Sequence, residues 1–126
     1  MSTIKGTITG VTLVRSSKVV GARKTYLCTV DFPAYTGAGD SGQIDGVAAA
    51  VQAFIKNGKT LALCAGAIPT CAGPGIDTAG QAVYIGTTTI STNDITFNLT
   101  NATNSELTST TGVSTGVELL VPVVES

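Results

Sequence analysis

The segment Gly37-Ala38-Gly39-Asp40-Ser41-Gly42 offers three overlapping chemistries. It spells G-x-G-x-x-G ahead of an apolar periodic stretch, as in loops that cradle a dinucleotide pyrophosphate. That use needs a strand running straight into the glycines and an acid about 20 residues on to hold a ribose. Residues 33–36 intervene instead, and no Asp or Glu occurs between Asp45 and Asp77. Gly39-Asp40-Ser41-Gly42 also matches the surroundings of a serine-protease nucleophile. Such a serine needs a base to take its proton, and the chain has no histidine. Asp40-Ser41-Gly42 matches an aspartic-protease signature too, with Asp77-Thr78-Ala79 as an imperfect second copy. A working pair places each Asp at the end of an apolar strand, so that two carboxylates share one proton. Asp40 follows Gly-Ala-Gly and Asp77 lies in Pro/Gly-rich sequence, so a glycine-rich link that caps a helix explains the segment more simply. No catalytic residue is assigned.

The remaining reactive groups are few. Cys28, Cys64 and Cys71 fall short of the four ligands of a structural zinc site, and no histidine makes up the set. The same absence removes a Cys–His nucleophile. Cys28 and Cys64 read as small buried hydrophobes, and a Cys64–Cys71 bridge would close a short loop. No metal and no cofactor are expected. Arg15, Lys18, Arg23 and Lys24 cluster about one turn, but the sequence pI is 5.1 and no aromatic residue interleaves to stack bases. Nucleic acid is therefore not the expected partner. Asn98-Leu99-Thr100 and Asn101-Ala102-Thr103 match glycosylation sequons by pattern alone.

Hydrophobic periodicity predicts the elements that carry these residues. Residues 3–14 read as a strand whose apolar parity switches at Gly10, the signature of a bulge. Tyr26, Cys28, Val30 and Phe32 alternate with polar neighbours and stop at Pro33. Residues 34–42 read as a flexible link. Ile44, Val47, Ala48, Val51, Phe54 and Ile55 recur at helical spacing, predicting a helix over roughly 43–57 with Asp40 and Gln43 as a capping box and Asn57-Gly58 as the stop. Residues 61–68 read as a strand, 69–80 as a loop, and 82–90 with 95–99 as a hairpin turning at Thr92-Asn93-Asp94. A polar loop over 100–116 leads to an apolar strand, 117–124, whose Pro122 suits an edge position. The sum is a single domain, 1–126, of mainly β class: an antiparallel sandwich or small barrel of about six strands with one amphipathic helix.

Composition narrows the function class. Charged residues make up 12% of the chain, about half the usual share, while 21 Thr and 15 Gly supply polarity and turns. Thr is β-branched and fits pleated surfaces. A net charge of −1 gives copies of the chain little reason to stay apart, which points to a surface covered by neighbouring subunits. Charge is divided along the chain, net +4 through Lys59 and −5 beyond it, where no basic residue remains. No apolar run reaches the 18 or more residues of a membrane span, so no membrane partner is expected. The first residues lack a signal-peptide apolar region, so synthesis in a host cytoplasm is expected.

This combination of a short β-rich chain, few charges, abundant Thr and Gly, no His or Trp, and the closing strand Val117-Glu118-Leu119-Leu120-Val121-Pro122-Val123-Val124 resembles the accessory proteins of tailed-bacteriophage particles, above all capsid cement or decoration proteins. The resemblance spans the chain but is compositional, so no site residue carries over. It implies a homo-oligomer located in the virion that binds the major capsid protein or other virion subunits and stabilises the shell. The alternatives are a β-sandwich adhesion module, with the 100–116 loop against its ligand, or a tail or fibre component.

Overall fold

The computed structural model describes residues 3–17, 23–36, 41–56, 60–64, 69–91, 93–101, 103, 109–110 and 112–125. Period-2 alternation organises most of them. In β3 (Arg23–Phe32) Tyr26, Cys28, Val30 and Phe32 are buried and the residues between them half-exposed. In β12 (Val113–Glu125) Val117, Leu119, Val121 and Val123 are all fully buried. Burying each such side chain contributes about 1.5–3 kcal/mol before entropic costs. The two strands pair antiparallel from Val113↔Phe32 to Val124↔Arg23 and form the spine of the core.

The other strands among the described residues are β1 (Thr3–Lys5), β2 (Thr7–Ser17), β4 (Tyr35–Thr36), β5 (Ser41–Ile44), β6 (Leu61–Leu63), β7 (Thr70–Gly73), β8 (Gly75–Asp77), β9 (Ala82–Ser91), β10 (Asp94–Thr100) and β11 (Ser109–Thr110). The main sheet runs β1-β5-β10-β9-β8-β12-β3-β2, with β6 and β7 also on β12, while β4 and β11 pair separately. Its first and last members are neighbours in sequence, separated by Gly6 alone. The sheet therefore curls back on itself around one apolar cluster, as in a sandwich or small barrel, confirming the mainly β class with one helix.

The closure is tight. The Gly6 N–H donates to Gln43 O at 2.9 Å. A Cβ at Gly6 would stand 2.6 Å from the Phe32 ring and 2.9 Å from Val30 Cγ1. A Cβ at Gly42, on the facing strand β5, would stand 2.0 Å from the Phe97 ring. Phe32 and Phe97 themselves meet edge to face, with centroids 5.3 Å apart.

Several expectations change in detail. The six expected strands all contain strand structure, but the segments taken as links hold more of it. Residues 61–77 run antiparallel along β12, from Leu61↔Glu125 to Asp77↔Val113, as the interrupted strands β6, β7 and β8. That partner makes β12 a central strand, not an edge. The Pro122 carbonyl faces Cys64, whose N–H it accepts at 3.2 Å, so the residue takes part in the sheet without needing an N–H of its own. The expected bulge is present, as the register skips between Ile8 and Gly10.

The helix α1 spans Val47–Ile55, shorter than expected at its start. Ile44 belongs to β5, where it pairs with Ile95. The N-cap is Gly46, in the left-handed region at φ 55°, not Asp40, which lies outside the described residues. Lys56, also left-handed, ends the helix, and Asn57 and Gly58 fall outside the described set. Val47, Ala48 and Val51 are buried, and the helix packs on β2 and β6.

Gly42→Ala is expected to cost about 3 kcal/mol, the upper range for overpacking, because the Phe97 ring must move. Gly10→Ala, whose nearest new neighbour would be Thr29 at 3.5 Å, is expected to cost under about 1 kcal/mol. Urea denaturation of both variants checks the difference; equal losses would mean the Gly42–Phe97 contact does not constrain closure.

Candidate functional site

The structure takes the catalytic-looking segment apart. Ser41 and Gly42 lie inside β5, paired with Thr3 and Ile4, and the helix begins only at Val47. The glycines therefore do not lead straight into a helix N-terminus, as a phosphate loop requires. Gly37 to Asp40 lie outside the described residues. Asp77 is buried at the start of the β8–β9 turn. Its Oδ1 accepts the N–H groups of Ala79 at 3.0 Å and Gln81 at 2.8 Å, while its carbonyl accepts Gly80 N–H at 3.0 Å. A carboxylate used this way fixes an Asx turn; the local signal was the Asp followed by Gly80, whose φ is 84°.

Asp45 and Asp94 are likewise occupied, at the start of α1. Asp94 Oδ1 accepts the Gly46 N–H at 3.0 Å, and Asn93 O accepts Val47 N–H at 2.8 Å. The Gln43 amide donates to Asp45 Oδ1 and Asp94 Oδ2. Lys5 Nζ lies 2.9 Å from Asp45 Oδ2. The Lys5 ammonium, aided by Gln43, holds the Asp45 carboxyl below the usual carboxylate range. These contacts pin the helix to the β9–β10 turn. An exposed pair of this kind adds little to stability.

Beside them lies a cleft of about 340 Å³ lined by Gly46, Ala48, Ala49, Gln52, Thr60, Leu61 and Asn93. It brings together small side chains, two amides and one hydroxyl, with no base, nucleophile or charged group among them. Among the described residues no three Cys, Asp or Glu side chains gather to hold a metal ion. No helix among them is long and apolar enough to cross a membrane.

The three cysteines are free. Cys28 and Cys64 are buried as expected, and Cys71 is half-buried, its thiol donating to Gly73 O at 3.4 Å. Burial pushes the Cys28 thiol up to about 12, the opposite of an activated nucleophile.

The strand order partly mixes the two charge halves. Acidic β12 runs between β3 and the 61–77 segment, so Glu125 faces Leu61 one residue beyond the Val124↔Arg23 pair. The mixing reaches both ends of the ladder: Glu125 lies beside the end that carries Arg23 and Lys24, and Lys5 lies two residues from Thr7, which pairs with Asp31. Lys18 lies outside the described residues. Of the two sequons, Asn98 is exposed in β10, and Asn101 Oδ1 accepts Thr103 N–H at 3.0 Å.

Sequence periodicity did not reveal the exposed apolar side chains. Leu13 is 50% exposed, Val14 54%, Phe54 48% and Ile76 47%. The parity switch at Gly10 carries no sign that Leu13 is exposed, and Ile76 lies in Pro/Gly-rich sequence. No family model, curated protein or solved structure matches the chain.

In native protein near neutral pH, iodoacetamide is expected to label Cys71 first and to leave Cys28 untouched until unfolding, as read by mass spectrometry of digests. The folded-state thiol pKa lies above its ordinary value of 9.0, so this group's stabilising contribution is complete below pH 9 and is lost as pH rises toward 12. Labelling of Cys28 at the rate of a free thiol would contradict the buried environment.

Proposed function

We propose that this chain is a virion structural protein that binds and stabilises an assembled capsid shell, in the manner of cement or decoration proteins. The observation that carries this reading is the contrast between inside and outside. The described carboxylates of Asp45, Asp77 and Asp94 are spent on turns and the helix start, while large apolar side chains stand on the outer surface of a sparsely charged fold. Such a molecule has more to gain by covering surface than by chemistry. Each Å² of apolar area covered contributes about 25 cal/mol, set against the cost of association. Repetition over many symmetry-related sites turns weak contacts into strong retention.

A β fold with one continuous core suits this task. Its wall presents the same surface before and after binding, so little ordering entropy is lost on docking.

The test mixes purified protein with empty shells assembled from the major capsid protein encoded in the same genome. The expected outcome is saturable, stoichiometric co-sedimentation and a raised shell unfolding temperature. Protein that stays in the supernatant and leaves shell unfolding unchanged would contradict the reading, and retention on tails alone would move it to the tail.

A further inference from the structure

The cleft beside the start of α1 is hollow because residues that face it are small. Gly46, Ala48 and Ala49 carry at most one side-chain carbon each over the first turn of the helix. A Cβ built at Gly46 would meet no atom within 4 Å, so the space there is open. The walls are nevertheless fixed. Asn93 O accepts the Val47 N–H at 2.8 Å and Asp94 Oδ1 the Gly46 N–H at 3.0 Å, which tie the helix to the β9–β10 turn. Leu61, which also lines the cleft, is buried and pairs with Glu125 in the ladder of β12. Such a site is formed before a ligand arrives. At about 340 Å³ it lies at the small end of ligand pockets, which run from about 300 Å³ upward.

Its chemistry selects among ligands. Gln52 and Asn93 bring carboxamides, each with two N–H groups and two lone pairs, and Thr60 brings a hydroxyl. A carboxamide therefore has capacity for a ligand beside its contacts within the protein. Gln52 is half-buried, whereas Ala49, Thr60 and Asn93 are exposed and form the rim. An anion is disfavoured, because the Asp94 carboxylate already complements the helix start and Asn93 O takes the next N–H. A cation finds no carboxylate among the described lining residues. Asp45 is engaged by Lys5, and Asp94 by Gly46 and Gln43. A nucleobase finds no aromatic side chain among them to stack on. What fits is a compact, uncharged molecule whose hydroxyls both donate and accept, and whose C–H groups meet Leu61 and the alanine methyls.

We propose that this cleft binds one neutral sugar residue, as a free monosaccharide or as a unit of a glycan chain. The exposed rim leaves a chain room to continue into solvent. The inference rests on the cleft alone and is independent of shell binding.

The test follows proton–nitrogen NMR spectra of isotope-labelled protein during titration with neutral hexoses and N-acetylhexosamines, with glucuronate and glucosamine as charged controls. A linear tetrasaccharide of whichever residue binds is then titrated in the same way. The expected result is saturable shifts centred on the Gln52 and Asn93 side-chain amides and the Ala48 and Ala49 backbone, with little response to the charged sugars. Affinity unchanged with chain length identifies the free sugar; affinity that rises with length identifies a glycan. Ala49→Leu puts a good helix former at an exposed position and is expected to abolish binding by filling the cleft. Gln52→Met is expected to weaken binding about tenfold, the loss of one hydrogen bond. Circular dichroism checks folding, and if Gln52→Met does not fold, Ala49→Leu decides alone. No saturable shift with any neutral sugar, charged sugars binding as tightly, or undiminished binding by Ala49→Leu would overturn the proposal without bearing on co-sedimentation with shells.

Discussion

Phe32 and Phe97 meet edge to face where the first strand turns from one end of the sheet to the other, and the rest of the fold depends on that meeting. The sheet begins on β1 and ends on β2, so one residue, Gly6, has to pass over the Phe32 ring while Gly42 passes beside that of Phe97. Two missing side chains let two large rings fill the seam. An open sheet would leave edges and an uncovered apolar face. Here the first strand passes from β5 to β3 through Gly6, whose N–H donates to Gln43 O.

Closure shapes everything attached to it. β12 can be apolar at every second position because it has strands on both sides, and the Pro122 carbonyl accepts the Cys64 N–H. The helix is held at its start by Asp94 and Asn93 and buries Val47, Ala48 and Val51, so a short helix with weak capping is supported by tertiary contacts. The register of β2 skips at Thr9 and Val14, and at this edge of the sheet Leu13 and Val14 stay exposed although Leu13 pairs with buried Tyr26.

Strong alternation made β3, the β9–β10 hairpin and the inward face of β12 readable in the sequence, and the parity switch at Gly10 gave away its bulge. Ile44 misled because one residue fits a helical stripe and a strand alike; its pairing with Ile95, far along the chain, decided the matter. β7 and β8 were hidden because their inward positions include Gly75 and Asp77, which carry no apolar signal. Pro122 looked like an edge residue because the strands that flank β12 come from segments far along the chain. The absence of histidine was enough to undo the serine-protease reading, but exposure of Leu13, Val14 and Ile76 depends on strand order, which no local pattern encodes.

Asp45, Asp77 and Asp94 hold turns and the helix start, and Leu13, Val14, Phe54 and Ile76 stand exposed, which is the ground for the proposed contact role. Hydrogen exchange followed by mass spectrometry, comparing free protein with protein in its native assembly, tests this most directly. The account predicts protection gained over Thr12–Val14 and over 72–76, with the cleft around Gln52 unchanged. Protection confined to that cleft, with the outer wall exchanging as in the free protein, would contradict it and mark the chain as a ligand carrier instead.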